Sequence, residues 1–203
     1  MNLIFVGPQA SGKGTQGELI AKKLGLGHVS SGDILRSQKG ELKVLADKVM
    51  AQGALLPTDM MLKMVLERVK FPDCKKGVIF DGFPRNLEQA KALDKVMKID
   101  NVIEIHISDD EAVKRLGGRL TCLKCGAVFN ENSNPPKKKG ICDACGGKLI
   151  KRADDVEEAI RKRLSIYHNE TEPILKHYKV IKINGAQAID RVEGDILRAL
   201  GKN

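Results

Sequence analysis

The sequence predicts an α/β fold in three layers, a five-stranded parallel sheet with helices on both faces. Three observations predict it. Short apolar, β-branched runs recur at Leu3 to Val6, Val78 to Phe80, Val102 to Ile107 and Val180 to Ile183, with a weaker one at Leu26 to Val29. Segments of helical periodicity separate these runs, and strands that alternate with helices join by right-handed crossovers into a parallel sheet covered on both faces. A glycine-rich loop, Gly7-Pro8-Gln9-Ala10-Ser11-Gly12-Lys13-Gly14-Thr15, follows the first run and opens a helix.

In chain order, the loop comes first. Gly7, Gly12 and Gly14 let the main chain turn tightly and bring its N–H groups up to phosphate oxygens, while Lys13 adds a mobile positive charge. The expected ligand is a nucleoside triphosphate. The common form of the motif carries Ser or Thr directly after the lysine; here Gly14 intervenes, so Thr15 is the expected hydroxyl beside Mg²⁺. A plain glycine turn between strand and helix would leave Lys13 unexplained.

After the weak second run, residues from about 30 to 59 carry helical patterns with no strand between them, punctuated by Gly53 and Pro57, which predicts a small helical insertion. Val78-Ile79-Phe80 then leads into Asp81-Gly82-Phe83-Pro84-Arg85. This places a carboxylate and an arginine beyond the carboxyl end of a strand, the edge at which parallel sheets bind ligands. Asp81 suits the water shell of Mg²⁺ and Arg85 can fork onto phosphate. The alternative is a bare Asp-Gly turn with Arg85 solvated. Ile103, Ile105 and Ile107 alternate with Glu104 and His106, a pattern expected nearer a sheet edge than its centre. Behind Asp154-Asp155, residues Val156, Ile160, Leu164 and Tyr167 recur at helical spacing; the acidic pair favours the start of that helix, and Pro173 ends or kinks it.

Residues from about 120 to 151 break the rhythm, concentrating Cys, Gly, Asn, Pro and Lys with few core apolar residues. They read as an inserted module. Cys122-Leu123-Lys124-Cys125 and Cys142-Asp143-Ala144-Cys145 form two C-x2-C knuckles, each with Gly beside its second Cys. Four thiolates, Cys122, Cys125, Cys142 and Cys145, suit a closed tetrahedral zinc site and leave no open position for catalysis. A segment this short cannot bury enough apolar surface to fold alone, so structural Zn²⁺ would supply the missing stabilisation. Paired disulfides are the alternative, disfavoured in a chain without a secretory signal. Cys74 is left over as a free thiol.

A chain of 203 residues can bury a sizeable core as one domain with insertions. No apolar run reaches the roughly 18 residues of a membrane helix and no leader precedes the first strand, so a soluble cytoplasmic protein is expected. Lys and Arg number 35 against 26 Asp and Glu, a formal charge of +9 that fits either a nucleic-acid surface or a pocket for small polyanions. Aromatic residues make up only 3% and Trp is absent, which weighs against base-stacking platforms for single strands.

Taken together, the loop at 7–15, Ser31-Gly32-Asp33-Ile34-Leu35-Arg36, Asp81 to Arg85 with Gln89, Arg115 and Arg119 bracketing Gly117-Gly118, and Arg152-Ala153-Asp154-Asp155 with Arg163 resemble the adenylate kinases in order and spacing. The resemblance covers essentially the whole chain and includes the long cysteine-bearing lid of many bacterial members. It implies a P-loop core at 1–29, 60–117 and 156–203, an AMP-binding insertion at 30–59 and a zinc-ribbon-like lid at 118–155. The implied reaction is Mg·ATP + AMP ⇌ Mg·ADP + ADP, serving adenine nucleotide homeostasis. ATP contacts are implied for Gly7, Gly12, Lys13, Gly14, Thr15, Arg115 and Arg119, with Arg115 packing on the adenine. AMP contacts are implied for Ser31, Arg36, Arg85, Gln89, Arg152 and Arg163, with Gln89 reading the adenine edge. Thr15 and Asp81 would hold Mg²⁺ through water, and Lys13, Arg85, Arg119, Arg152 and Arg163 would surround the transferring phosphoryl group as the catalytic set. Phosphoryl transfer needs alignment and charge neutralisation more than covalent help, so such a ring of cations is adequate. Lid closure would exclude water and favour transfer over hydrolysis.

The chain departs from the family pattern in places. Ser31 replaces the commoner Thr and keeps its hydroxyl, Pro8-Gln9-Ala10 lacks a glycine that many members carry inside the loop, and Asn184-Gly185 stands where Asp-Gly is frequent. Asp154 and Asp155 either favour the following helix or, as in the family, help lock the closed lid. His28, His106, His168 and His177 lie in none of these motifs and read as structural. The expected partners are ATP, AMP and ADP, with neither nucleic acid nor membrane, and the expected state is a monomer. Rival readings stay open: a UMP, CMP or GMP kinase, against which Gln89 and Ser31 argue; GTP as donor; a slow regulatory P-loop switch that needs no acceptor; and a nucleic-acid-binding module with salt-steep affinity, which would leave Lys13 and Asp81 to Arg85 without a role.

Overall fold

Leu3–Val6 form strand β1, buried on both faces as a central strand of a parallel sheet must be. The computed structural model describes residues 1–52, 54–152 and 155–202; Gly53, Ala153 and Asp154, singled out from the sequence, lie outside the described residues. After β1 come α1 (Lys13–Leu24), β2 (Gly27–Ser30), α2 (Ser31–Arg36), α3 (Gly40–Ala51), α4 (Thr58–Val69) and β3 (Val78–Asp81). Then follow α5 (Leu87–Asp94), β4 (Asn101–His106), α6 (Asp109–Gly117), β5 (Arg119–Cys122), β6 (Val128–Asn130) and β7 (Leu149–Ile150), and last α7 (Glu157–Ile166), β8 (Val180–Asn184) and α8 (Ile189–Ala199).

The main sheet has five parallel strands in the order β2-β3-β1-β4-β8. Its two faces follow from the two-residue period of a strand. Leu3 and Phe5 look toward α1 and α8, where they pack with Ile20, Ile79, Ile103 and Ile196. Ile4 and Val6 look the other way, into a cluster with Val29, Val65, Phe80 and Leu93. Strand register brings distant segments to one place: Phe5 lies opposite Asp81, and Ser30 on the far side of β3 also lies opposite Asp81, so the loop after β1, the start of α2 and Asp81 share one sheet edge. The less apolar β4 is one strand in from the edge, between β1 and β8, as its pattern predicts; Glu104 within it is buried beside His106 Nδ1 at 3.2 Å and Lys182 Nζ at 3.5 Å.

The segment after β2 is helical, α2 and α3 with no strand between them, and runs on into α4. A second sheet, antiparallel and ordered β6-β5-β7, carries the cysteines. Of the four apolar residues predicted to mark one helix near the C-terminus, Ile160, Leu164 and Tyr167 are buried, but Val156 is 58% exposed because it precedes the helix as its N-cap. The first-turn acids are Glu157 and Glu158. The α-helix stops at Ile166, well before Pro173: the chain widens into a π-helical turn over Tyr167–Thr171 and then tightens into a 3₁₀ segment, Glu172–Lys176. Proline lacks the N–H that would continue the α-helical ladder, and the change of pitch upstream accommodates it. No helix among the described residues is long and apolar enough to cross a membrane.

The π-helical turn is tied to α6 through His168, whose Nδ1 meets Glu172 Oε2 at 2.8 Å and whose Nε2 meets both oxygens of Asp109 at 3.1 Å. Glu172 first, and then Asp109, raise its pKa above the ordinary value. A histidine whose pKa is raised on folding stabilises fully below its unfolded pKa of about 6.5 and loses that contribution as pH climbs through the folded value. Thermal melts of the wild type and His168→Gln should therefore differ most below about pH 6 and converge above neutrality, and a pH-independent difference would remove the ion pair from the account.

Candidate functional site

Two backbone constraints shape the phosphate loop. Gly7 sits at φ 152° with the carbonyl oxygen of Ile105 only 2.2 Å from where a Cβ would stand, and Gly12, at φ 100°, caps the N-terminus of α1. No side chain fits at the first position, and the second favours glycine. The loop therefore packs down on β4 and directs the first N–H groups of α1 outward, an arrangement suited to anions. It forms one wall of a cavity of about 650 Å³ that also meets α2, the Asp81 to Arg85 segment and the cysteine-bearing sheet.

Lys13 Nζ donates to the carbonyls of Gly7 and Pro8, both at 2.7 Å. Burial pulls its pKa down to about 8; Asp81 opposes the shift, and Arg85 and Arg119 reinforce it. Asp81 lies across the cavity floor, with Oδ2 3.4 Å from the Cβ position on Gly14. Burial disfavours charge on Asp81, but His28, Lys13 and Arg85 outweigh it and hold the carboxyl below its usual range. His28 Nε2 stands 3.6 Å from Asp81 Oδ2, lines the same cavity and is a buried nitrogen without a hydrogen bond among the described residues. No local pattern around His28 signals this contact.

Beyond Asp81 the chain turns through a cis Phe83-Pro84 bond to Arg85. Arg85 Nε donates to the carbonyl of Gly82 at 2.8 Å, and Ser31 Oγ donates to that same carbonyl at 2.6 Å, so Ser31 and Arg85 are held side by side. Gln89 Oε1 accepts the main-chain N–H of Arg85 at 2.8 Å. Gln89 is buried behind Arg85 and does not line the cavity, unlike the other predicted nucleotide-site residues. Arg36 reaches the rim from α2, its Nη2 2.5 Å from Asp33 Oδ1.

The remaining arginines come from either side of the cysteine-bearing segment. Arg119 Nε donates to Asp155 Oδ2 at 2.7 Å, and Arg163 Nη2 donates to Asp155 Oδ1 at 2.9 Å, with the Asp155 side chain only 3% exposed. Asp155 thus bridges two cations; Asp154 lies outside the described residues. Arg152 Nε donates to Thr121 Oγ1 at 2.8 Å. Arg115 Nε pairs with Glu111 at 2.7 Å, while its Nη2 donates to the carbonyl of Gly185 at 3.0 Å. Thr15 completes the wall beside Lys13. Sequence reasoning missed the apolar lining of the cavity, Leu35, Met50, Ala54, Val128 and Phe129, since apolar residues on short helices and strands read as core.

The four cysteines of the knuckles converge, all Sγ atoms lying within 4.8 Å of one another. Cys122 and Cys145 are 3.5 Å apart and Cys125 and Cys142 3.6 Å, far beyond a disulfide bond of about 2.05 Å and near the edge of about 3.8 Å expected of a ZnS₄ tetrahedron. The two knuckles match: Gly126 N–H donates to the Cys122 carbonyl at 3.0 Å and Gly146 N–H to the Cys142 carbonyl at 2.9 Å. The main-chain N–H of Cys125 helps lower the Cys122 thiol pKa, while Cys125 itself is raised, against the Ala127 N–H, by its contacts with Cys145 and Cys142, so the charge is shared unevenly within the cluster. Around them only a small cluster of Leu120, Ala127, Phe129 and Leu149 is apolar. The residues fit zinc.

Comparison with known proteins agrees with this arrangement. A family model described as adenylate kinase matches residues 5–183. Adenylate kinase of Caldicellulosiruptor saccharolyticus is 41% identical over 213 residues, covering 99% of each chain. Those of Streptomyces avermitilis and Archaeoglobus fulgidus are each 42% identical, the first covering 98% of this chain and 97% of its own, the second 100% and 99%.

The lowered pKa of Lys13 gives the site a pH signature. A bound polyanion favours the protonated amine, so affinity for inorganic triphosphate should fall as pH rises through about 8, by at most ~10-fold per unit for one proton. Calorimetric titrations of the wild type and Lys13→Arg, whose guanidinium stays charged, check this; equal pH profiles would mean that Lys13 does not meet the anion.

Proposed function

The chain belongs to the adenylate kinase family, and from that premise we propose that it transfers the γ-phosphoryl group of Mg·ATP reversibly to AMP, giving two ADP. The observation that carries this reading is the convergence on one cavity of the phosphate loop with Lys13, the Asp81 carboxylate, and arginines 36, 85, 119, 152 and 163. A cavity for a triphosphate alone would not need so many cations at its far end. Two polyanions meeting head to head would.

In this reading the phosphate loop and Lys13 hold the β- and γ-phosphates of ATP, with Arg115 and Arg119 on the same side and Gly185 closing the nucleoside end. Ser31, Arg36 and Arg85 hold AMP. Arg119, Arg152 and Arg163 stand where the two phosphate chains meet and neutralise charge as the phosphoryl group moves, the electrostatic work that dominates such reactions. The acceptor oxygen of AMP is already ionised, so no side chain is required as a base. Thr15 and Asp81, a hydroxyl and a carboxylate kept anionic that line the same cavity, would hold Mg²⁺ through water, and the ion would neutralise charge on the donor phosphates. The segments 1–29, 60–117 and 156–203 form the core in this proposal, 30–59 the acceptor-binding part and 118–155 a lid that closes over the phosphates and excludes water.

Gln89 supports AMP over two of its rivals. Gln89 lies behind Arg85 and not in the cavity wall, and with its Oε1 accepting the Arg85 N–H the amide NH₂, a donor, is the group it would offer an acceptor base that reaches it. Adenine N1 accepts hydrogen bonds, whereas the corresponding N1–H of guanine and N3–H of uracil donate them. The four lid cysteines, free thiols, suit a reducing, cytoplasmic setting, and we take the protein to act as a monomer.

Product analysis with Mg·ATP and each nucleoside monophosphate in turn should show AMP-dependent formation of two ADP per ATP, abolished in Lys13→Met. Gln89→Ala should weaken AMP binding about 10- to 100-fold, as loss of a buried hydrogen bond predicts, with little change for ATP. Equal losses for both nucleotides would free Gln89 from the acceptor site, and a different preferred acceptor would reassign the substrate.

Purified protein should carry one zinc per chain, held by Cys122, Cys125, Cys142 and Cys145. Chelation, or Cys142→Ser, should lower the melting temperature by several degrees, since the apolar cluster around the cysteines is small. Metal-free protein that melts unchanged would remove zinc from the structure.

A further inference from the structure

The tip of the phosphate loop has features that phosphate binding does not require. Ala10 is the one non-glycine with positive φ among the described residues, at 60°, a left-handed conformation that an L residue keeps only where its surroundings hold it. It packs against the apolar cluster formed by Ile107, Ala112, Leu116, Ile160 and Leu164, which joins α6 to α7. Its carbonyl accepts from Arg115 Nη1 at 3.4 Å. Next to it, Gln9 Nε2 donates to the main-chain carbonyl of Arg163 at 3.3 Å. Because that partner is an acceptor, the amide must present its NH₂ there, which fixes its orientation. Gln9 Oε1 is consequently buried with no hydrogen bond among the described residues. A buried oxygen left unsatisfied works against folding, so the contact at the other end of the amide calls for a reason.

The reason lies in what α6 and α7 carry. α6 runs into Arg119 and the cysteine-bearing segment, and α7 comes after that segment and bears Arg163. The loop that holds Lys13 is thereby pinned at its tip to both helices, once through an apolar contact and once through the backbone of Arg163 itself. We propose that Gln9 is a positioning residue for phosphoryl transfer: its amide sets the distance between the phosphate loop and Arg163, so that Lys13 and Arg163 meet the moving phosphoryl group in register. Ala10 provides the seat on which that setting rests. The inference builds on the kinase reading of the site and deepens it.

Gln9→Met keeps the length and bulk of the side chain and removes both the donor and the orphaned oxygen. Turnover should fall about tenfold while KM for ATP and for AMP each change less than about threefold, the pattern of an interaction needed in the transition state and not for binding. The melting temperature should hold or rise, which a merely structural contact would not allow. The decisive step is a cycle with Arg163→Lys: if Gln9 acts through Arg163, adding Gln9→Met to Arg163→Lys should change kcat less than about twofold. Gln9→Ala serves as the second variant and should give the same non-additivity. Unaltered kcat in both Gln9 variants, or an equal loss in the wild-type and Arg163→Lys backgrounds, overturns the proposal alone. Wild-type protein that transfers phosphate to no nucleoside monophosphate would overturn the kinase reading and this inference with it.

Discussion

Mutual repulsion among cations is the constraint that the rest of the structure answers. Lys13, Arg36, Arg85, Arg119, Arg152 and Arg163 line one cavity. Brought together in a desolvated space, such groups are disfavoured in their charged forms: burial first, and then, against the pull of Asp81, the neighbouring arginines lower the pKa values of Lys13 and Arg85. Two buried carboxylates make the arrangement tolerable. Asp81 sits between the phosphate loop and Arg85, and Asp155 bridges Arg119 and Arg163. Breaking a buried pair of this kind by removing one partner costs about 3–5 kcal/mol, because the other charge is left behind. The sheet order answers the same need: only adjacent parallel strands with β1 beside β3 place Asp81 at the mouth of the loop.

The cysteine-bearing segment solves a different problem. It must reach over the cavity from α6 and return to α7, yet its own apolar cluster is confined to a few residues beside the cysteines. Segments of this size cannot bury enough surface to hold a single conformation. A bound metal would fix the two knuckles relative to each other without needing a core, while Val128 lines the cavity beside Phe129, which also packs against the cysteine cluster. Rigidity supplied by a metal at one point is compatible with movement of the segment as a body, which a lid requires.

Much of this is legible in the sequence, for a reason that also marks the limit. The strand runs, the glycine loop, Asp81 to Arg85 and the paired C-x2-C knuckles are local patterns in which each residue's neighbours in sequence are its neighbours in space. The features that are not legible depend on long-range register. His28 reads as an ordinary polar residue in a weak strand, and only the pairing of β2 with β3 turns it toward Asp81. Val156 fits the apolar period of α7 and yet lies outside it, because a helix start is set by capping and not by periodicity. Family resemblance points Gln89 at the acceptor base, but its place behind Arg85 comes from Asn86, whose side chain accepts the Gln89 N–H at 2.8 Å and begins α5 there. The missing loop glycine is visible at Ala10; that this residue packs against the cluster joining α6 to α7 is not.

The bridge at Asp155 bears on a difficulty that any enzyme handling ATP must meet, which is that water is a smaller and far more abundant nucleophile than AMP. Closure of the proposed lid would be one answer. Charge would be another, because Arg119 and Arg163 approach from either side of the cysteine-bearing segment and are held by one carboxylate. Phosphate oxygens must compete with Asp155 for both of them, and the competition is won only by concentrated negative charge. Donor and acceptor phosphates together bring that charge, whereas ATP with a water molecule brings only part of it. In the proposed reading the cations would therefore engage the reacting group fully when AMP is present, and binding energy from the acceptor's phosphate would be used to assemble the site for transfer, a discrimination that rests on the transition state and not on the ground-state fit of either nucleotide.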